Sequence, residues 1–214
     1  MTSLRARKKA DKERRILEAA TQLFREQGYD HARMEHIAEL ADVSVGTLYN
    51  YYENKGDILM ATVNMEVTEV LDAGETIVAD PPFDVEEAVH RLVDQYYDHS
   101  LYYLSKEMWR AAMAISIQQP DTPLSKAYTE LDQRLSAQMV RLIETLQARR
   151  LVRPSVSARA VGEVLFNNLN MMFIEFVKDE PQPLAVLKAR AAEQHGPIAR
   201  LIALEKTAIS TLAR

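Results

Sequence analysis

The stretch SVGTLYNYYENK, Ser44 to Lys55, places three tyrosines, a threonine and two asparagines in one short helical span. A helix that only had to fold would use Leu, Ala and Glu there. These side chains suit contact with DNA instead. A threonine can meet a thymine methyl and an asparagine can pair with adenine in the major groove. A phenol can hydrogen-bond a phosphate while its ring packs. A second constellation lies further on, where His90, Asp94 and Asp98 recur at i, i+4 and i+8 and His99 follows. Such a stripe could hold a metal. Val85, Val89, Leu92, Val93 and Tyr96 supply the apolar side of the same helix, and Glu87 and Arg91 accompany the histidine, so a solvated polar face is the favoured reading. His31, His36 and His195 show no ligand spacing, and the chain has no cysteine for a thiolate site or nucleophile. No phosphate loop, dinucleotide fingerprint or elbow serine occurs. No metal, no cofactor and no enzymatic activity are expected.

The elements that must position the tyrosine-rich stretch are helical. Breaks fall at EQGYD (26–30), ENKGD (53–57), DPPFD (80–84), QQPDTP (118–123), VRPS (152–155), DEPQP (179–183) and HGP (195–197). Between them apolar residues recur at i, i+3 and i+4, and no segment alternates like a strand. An all-α fold of about nine helices is expected. Helix one, about 10–27, has Ile16, Leu17, Ala20, Leu23 and Phe24 on one face. Met34, Ile37, Ala38 and Ala41 share a face of the next. A turn from Ala41 to Val43 then leads to Ser44, a good N-cap. Two short helices joined this way behind a longer one read as a helix-turn-helix, whose second helix enters the major groove. At 100° per residue Leu48 and Tyr52 point inward, while Thr47, Asn50 and Tyr51 point away and Tyr49 lies at the flank. Asn54 and Asp57 suit the N-cap and N3 of the following helix, with Lys55 in its first turn. Further on, Asp84 and Glu87 can form a capping box, Thr122 can cap a helix that Pro123 opens, and Gly196 can end one helix before Pro197 opens the last.

The net charge of −5 argues at first against a nucleic-acid partner. Position matters more than the sum. Arg5, Arg7, Lys8, Lys9, Lys12, Arg14 and Arg15 face only Asp11 and Glu13 in the first fifteen residues. A basic tip on an acidic body suits a protein that presents one end to an anion, although a solvated tail has the same composition. The charged N-terminus is unlike a signal peptide, and the most apolar segment, VLFNNLNMMFIEFV, is interrupted by three asparagines and a glutamate. A cytoplasmic protein with no membrane partner is expected.

ILEAATQLFREQGYD and HIAELADVSVGTLYNYYENKGDIL together resemble the TetR/AcrR family of transcriptional regulators, over roughly residues 13–60. The resemblance implies a basic arm and helix-turn-helix domain over 1–55, and a helical effector-binding and dimerisation domain over 56–214. The expected DNA contacts are Arg7 and Lys8 of the arm, Arg33, and Ser44, Val45, Gly46, Thr47, Tyr49, Asn50, Tyr51 and Lys55. Several positions depart from the family pattern. Val45 stands where a basic residue is frequent, and Asp42 replaces a turn glycine. Arg33 replaces a helix-opening Thr or Ser, Tyr52 a phenylalanine, and Gly56 a glutamate.

Such proteins usually dimerise on a palindromic double-stranded operator, reading half-sites whole helical turns apart, roughly 34 Å per turn. In the helix from about Ser157 to Lys178 the apolar arc is wider than the roughly 100° stripe that one core face needs. With the last helix it is the expected dimer interface, through Val161, Leu165, Leu169, Met172, Phe176, Ile198, Leu201, Ile202 and Ile209. The resemblance further implies a small organic effector in a cavity walled by residues such as Tyr96, Tyr103, Trp109, Met113, Asn167, Asn168 and Met171. The function expected is a dimeric DNA-binding regulator, most simply a repressor released by that effector. The alternative is a helical small-molecule-binding or adaptor protein whose head no longer recognises an operator.

Overall fold

The computed structural model describes residues 4–204, the side chain of Arg5 excepted. Among the described residues there are nine helices: α1 (Leu4–Gln27), α2 (Met34–Leu40), α3 (Val45–Tyr49), α4 (Lys55–Ala79) and α5 (Val85–His99). The remainder are α6 (Lys106–Gln118), α7 (Pro123–Ala148), α8 (Ala158–Lys178) and α9 (Leu184–Ile202). Short polar side chains start several of them. Ser44, Asp84, Ser105 and Ser157 each accept from a backbone N–H three residues on, satisfying a donor the helix itself cannot. Thr122 does the same from Ser125, so Pro123 does open α7 as the sequence indicates. None of these helices is long and apolar enough to cross a membrane.

The chain divides into two compact units, and the division differs from a simple cut after residue 55. The first unit holds residues 1–67 together with 101–130. Its core takes Ile16, Leu17, Ala20, Leu23 and Phe24 from α1, Met34, Ile37 and Ala38 from α2, and Ile58, Leu59 and Val63 from α4. Helix α1 starts earlier than the apolar pattern indicates, at Leu4, so the basic arm is a helical extension rather than a loose tail.

The second unit holds residues 68–100 and 131–214. Helix α5 buries Val85, Val89, Leu92, Val93, Tyr96 and Tyr97. The Tyr97 hydroxyl donates to the Leu169 carbonyl at 2.9 Å and its ring stacks on Phe173. Gln138, fully buried on α7, accepts from the Tyr96 hydroxyl at 2.8 Å and donates to the Leu71 carbonyl and to Glu75. Helix α8 crosses α7 very closely: a Cβ added at Gly162 would lie 2.6 Å from the Val140 Cα.

One expectation is refined and one corrected in this unit. The polar stripe of α5 does leave Glu87, Arg91 and Asp98 exposed, but part of it is also tied to α9. Lys188 of α9 reaches both Asp94 and Asp98, at 3.5 and 2.9 Å, and Arg200 of α9 pairs with Glu86 at 2.5 Å. The periodicity marks these residues as one face, and the bases that dock on it come from about a hundred residues away in sequence. Pro197 does not open a helix; it lies inside α9. Proline removes a hydrogen bond and disfavours helix at the residue before it. Here that residue is Gly196, whose missing side chain relieves part of the clash, and burial of Ala199 and Ile202 beyond the proline holds the helix together. Of the residues expected in a longer last helix, Ile209 lies outside the described residues.

His195 of α9 is fully buried, its Nε2–H donating to the Asn168 Oδ1 at 2.8 Å. The Asn168 amide in turn donates to Gln194 at 2.8 Å. Burial, and then the neighbouring His90, push the His195 ring down from 6.5 to about 4. The unfolded chain takes up this proton first. Its contribution is therefore complete above about 6.5 and is lost as pH falls toward about 4, by at most ~3 kcal/mol. Denaturant melts between pH 7.5 and 4 should show that decline, and His195→Gln, which does not titrate, should flatten it. Gly162→Ala should lower stability by about 1–3 kcal/mol at any pH, because the obstacle is backbone rather than a flexible side chain.

Candidate nucleic-acid interface

The recognition surface is built on a very short helix. Ser44 Oγ accepts from the Thr47 N–H at 3.1 Å and shares a 2.8 Å hydrogen bond with the Thr47 hydroxyl. Leu48 is 0% exposed and Tyr52 is buried, while Tyr49 is 47% exposed and Val45, Gly46 and Asn50 also face solvent. Leu48 and Tyr52 lie inward and Asn50 outward as the helical angles indicate, even though α3 ends at Tyr49 and Asn50 is its C-cap; Thr47 and Tyr51, expected to point away, are half-buried, and Tyr49, expected at the flank, is exposed. Continuity comes from a last turn, in which the N–H groups of Tyr51 and Tyr52 both donate to the Leu48 carbonyl.

The preceding turn sets the angle of that helix. Asp42 has φ +54°, in the left-handed region. Its N–H donates to the Glu39 carbonyl and that of Val43 to the Ala38 carbonyl, the Schellman pattern that ends α2. Arg15 of α1 donates to the Asp42 carboxylate at 3.3 Å and its carbonyl at 3.5 Å, and pairs with Asp11 at 3.5 Å. In the sequence Arg15 reads only as one charge of a basic run. Its i, i+4 relation to Asp11 was visible there, but its reach to Asp42 requires the folded turn.

The other expected contacts sort as follows. Arg7 and Lys8 are exposed on the helical arm, and Arg33 is exposed at the N-cap of α2, where no side chain caps. Tyr51 is half-buried, its hydroxyl donating to the Lys9 carbonyl at 3.5 Å, and Tyr52 donates to Glu13 at 3.5 Å. Lys55 is a correction. Its ammonium donates to the carbonyls of Tyr29 and Asp30, at 2.9 and 2.7 Å, and lies 4.7 Å from the Tyr29 ring centroid. It holds the α1–α2 turn, and reaching a phosphate would cost it those bonds. The α4 cap forms as expected, with Asp57 N–H donating to Asn54 and Glu53 N–H to Asp57.

The residues expected to wall an effector cavity are divided between the two units. Tyr103, Trp109 and Met113 belong to the first unit, where Trp109 is buried and Tyr103 meets Tyr102 edge to face at 4.7 Å. Tyr96, Asn167, Asn168 and Met171 belong to the second. There Tyr96 bonds Gln138 and Asn168 bonds His195, whereas Asn167 is exposed and Met171 is 55% exposed, facing out of the protomer. Glu66 and Lys106, both buried in the first unit, were not singled out from sequence. Each follows its helix's apolar pattern poorly, which was the only available signal.

The expected dimer face on α8 is also turned. Leu165, Leu169, Met172 and Phe176 are buried within the protomer, as is Ile202 on α9. The apolar residues that remain exposed are Val164, at 56%, and Met171 on α8, with Val186 and Leu201, at 71%, on α9. Val161 and Ile198 are half-exposed beside them.

Residues 16–62 match the family model of bacterial regulatory proteins of the tetR family. The chain is 40% identical over 68 residues to the transcriptional repressor KstR of Rhodococcus jostii, which covers 31% of this chain and 32% of that protein. It thus spans about a third of the length of that curated relative. The whole fold is similar to a Mesorhizobium loti protein assigned to the TetR family of regulators, with a TM-score of 0.71 at 23% identity, covering 91% of this chain and 98% of that one. It is also similar to the Thermus thermophilus repressor FadR, solved in complex with lauroyl-CoA, with a TM-score of 0.61 at 20% identity over 85% and 91% of the two chains.

The turn gives a test that needs no ligand. Asp42→Ala should cost about 1–2 kcal/mol in a denaturant melt, because alanine is strained in the left-handed region. Asp42→Gly, which relieves that strain while losing the Arg15 contact, should stay within about 1 kcal/mol of the parent.

Proposed function

As a member of the TetR family of transcriptional regulators, this chain is, we propose, a homodimeric repressor that binds a palindromic operator and leaves it when a small organic effector binds. One observation carries the reading. Val45, Gly46, Tyr49 and Asn50 stand exposed on a helix whose own anchor, Leu48, is sealed from solvent. A core-packing hairpin has no use for that arrangement. Val45 and the Thr47 methyl favour readout of thymine by apolar contact, and Asn50 favours adenine. Arg7, Lys8 and Arg33 neutralise phosphates on either side. Tyr51 and Lys55 act mainly by holding this surface in place.

The dimer forms through the outward strip of α8 and α9, with Val164, Met171 and Leu201 at its centre and Val161 and Ile198 at its edge. Exposed apolar side chains of this size, clustered on two helices, favour a partner surface over solvent. To carry the operator from nearly full to nearly empty, the ligand must prefer the released form by about 5.5 kcal/mol. No enzymatic step is part of this reading.

Labelled DNA from upstream of the gene, titrated at several salt concentrations, tests the function. Selective binding that weakens steeply with salt supports it, through counterion release. Equal, weak binding to every sequence would replace it with the adaptor reading, in which the body binds its ligand and the head is idle. Met171→Glu should yield folded monomers by sedimentation and lose operator affinity, since the residue is already exposed in the single chain. A dimer that survives both Met171→Glu and Val164→Glu would place the interface elsewhere.

A further inference from the structure

Resting on the reading of the head as a DNA-binding unit, we infer that Glu107 of α6 is a positioning residue for it, acting through the Tyr29 backbone and Lys55. The α1–α2 turn, residues 28–33, is gripped from two helices at once. Gly28 leaves α1 with φ +83°, and a Cβ there would lie 3.5 and 3.6 Å from the two Glu107 carboxylate oxygens. The next residue, Tyr29, donates its N–H to Glu107 Oε1 at 3.1 Å. Its carbonyl accepts from Lys55 Nζ at 2.9 Å, as does that of Asp30 at 2.7 Å.

The peptides flanking Tyr29 are therefore held between an anion on α6 and a cation on α4. Both bonds are charge-assisted, hence stronger and more directional than neutral ones. The Tyr29 ring is fixed as well, edge-on to Phe24 at 5.2 Å and beneath the Lys55 ammonium. Its hydroxyl lies 3.4 Å from where a Gly56 Cβ would be, beside Ile115 of α6 at 3.3 Å. Arg25, in the last turn of α1, adds a second tie by donating to the Tyr102 carbonyl at 2.6 Å. Glu107 is itself placed firmly, in the first turn of a helix capped by Ser105, whose hydroxyl accepts from the Met108 N–H at 3.2 Å.

The sequence that follows this turn has little of its own to set its direction. Helix α2 is seven residues long and has no side-chain cap, and α3 has five residues. The turn consequently sets where α2 starts, and the Asp42 turn transmits that setting to α3. Segment 101–130, remote from the head in sequence, is part of the apparatus that aims the recognition helix. A displacement of α6 reaches the operator-facing residues through one carboxylate and one peptide.

The experiment compares Glu107→Ala with Glu107→Gln in the full chain. Glutamine keeps an acceptor for the Tyr29 N–H and loses the charge. In Glu107→Ala, amide exchange at Tyr29 should accelerate, with resonance shifts reaching residues 45–50. Affinity for the upstream DNA should fall about tenfold, with the salt slope unchanged because no phosphate contact is lost. Glu107→Gln should recover most of both. Unchanged exchange at Tyr29, an unchanged affinity, or a glutamine variant as defective as alanine would overturn the inference. If the parent protein shows no selective DNA binding, the regulator reading fails by itself. The positioning role then stands or falls on whether the Tyr29 exchange and the shifts at 45–50 follow the side chain at 107.

Discussion

The burial of Leu48 is the constraint on which the proposed DNA-reading surface depends. A five-residue helix has too few internal hydrogen bonds to persist alone, since nucleation consumes most of what so short a segment gains. Sealing one leucine from water, with Tyr52 buried at the following turn, supplies stability that the helix lacks. It also fixes rotation. With Leu48 inward, Val45, Tyr49 and Asn50 can only be outward. The exposed side chains owe their position to one that solvent never reaches.

Rotation about the helix axis is one degree of freedom, and tilt is the other. Tilt is governed by the left-handed residue before α3 and by the Arg15 contacts that bind it to α1. Aspartate at that position combines tolerance of positive φ with a carboxylate that a glycine could not provide. The two turns bounding α2 are thus treated alike. Each contains a left-handed residue, and each is tied by a charged side chain from a helix outside the α2–α3 pair. Short helices are made rigid here by their connections.

Much of this was legible in the sequence. The caps Ser44, Asn54, Asp84 and Thr122, and the apolar faces of α1 and α2, follow from local chemistry that acts within one helical turn. The inward side of that short helix, Leu48 and Tyr52, is legible for the same reason, whereas the half-burial of Tyr51 is not, because its partner Lys9 lies on α1. What could not be read were relations set by tertiary packing. Periodicity shows that α8 is apolar around more than one face, but not which part the protomer consumes, so Leu165 and Phe176 read as dimer-interface residues although the protomer buries them and leaves Val164 and Met171 exposed. Pro197 signals a helix start by its own preferences, which burial of Ala199 and Ile202 overrides. The charges of Lys55, Asp94 and Asp98 were assigned to solvent or phosphate because their partners lie far away in sequence. The distribution of the candidate pocket residues between two units is not visible in the sequence.

At Gly162 the backbones of α7 and α8 all but touch, with no side chain from α8 to act as a cushion. Helices separated by ordinary side chains can slide by swapping one rotamer for another. A backbone-to-backbone crossing offers no such slack. Relative motion there is confined to a swivel, as of two rods pressed together at a single point. The outward strip of α8 shares one rigid rod with that point, so a swivel of the rod would carry Val164, two residues away, only slightly and Met171, more than two turns away, much further.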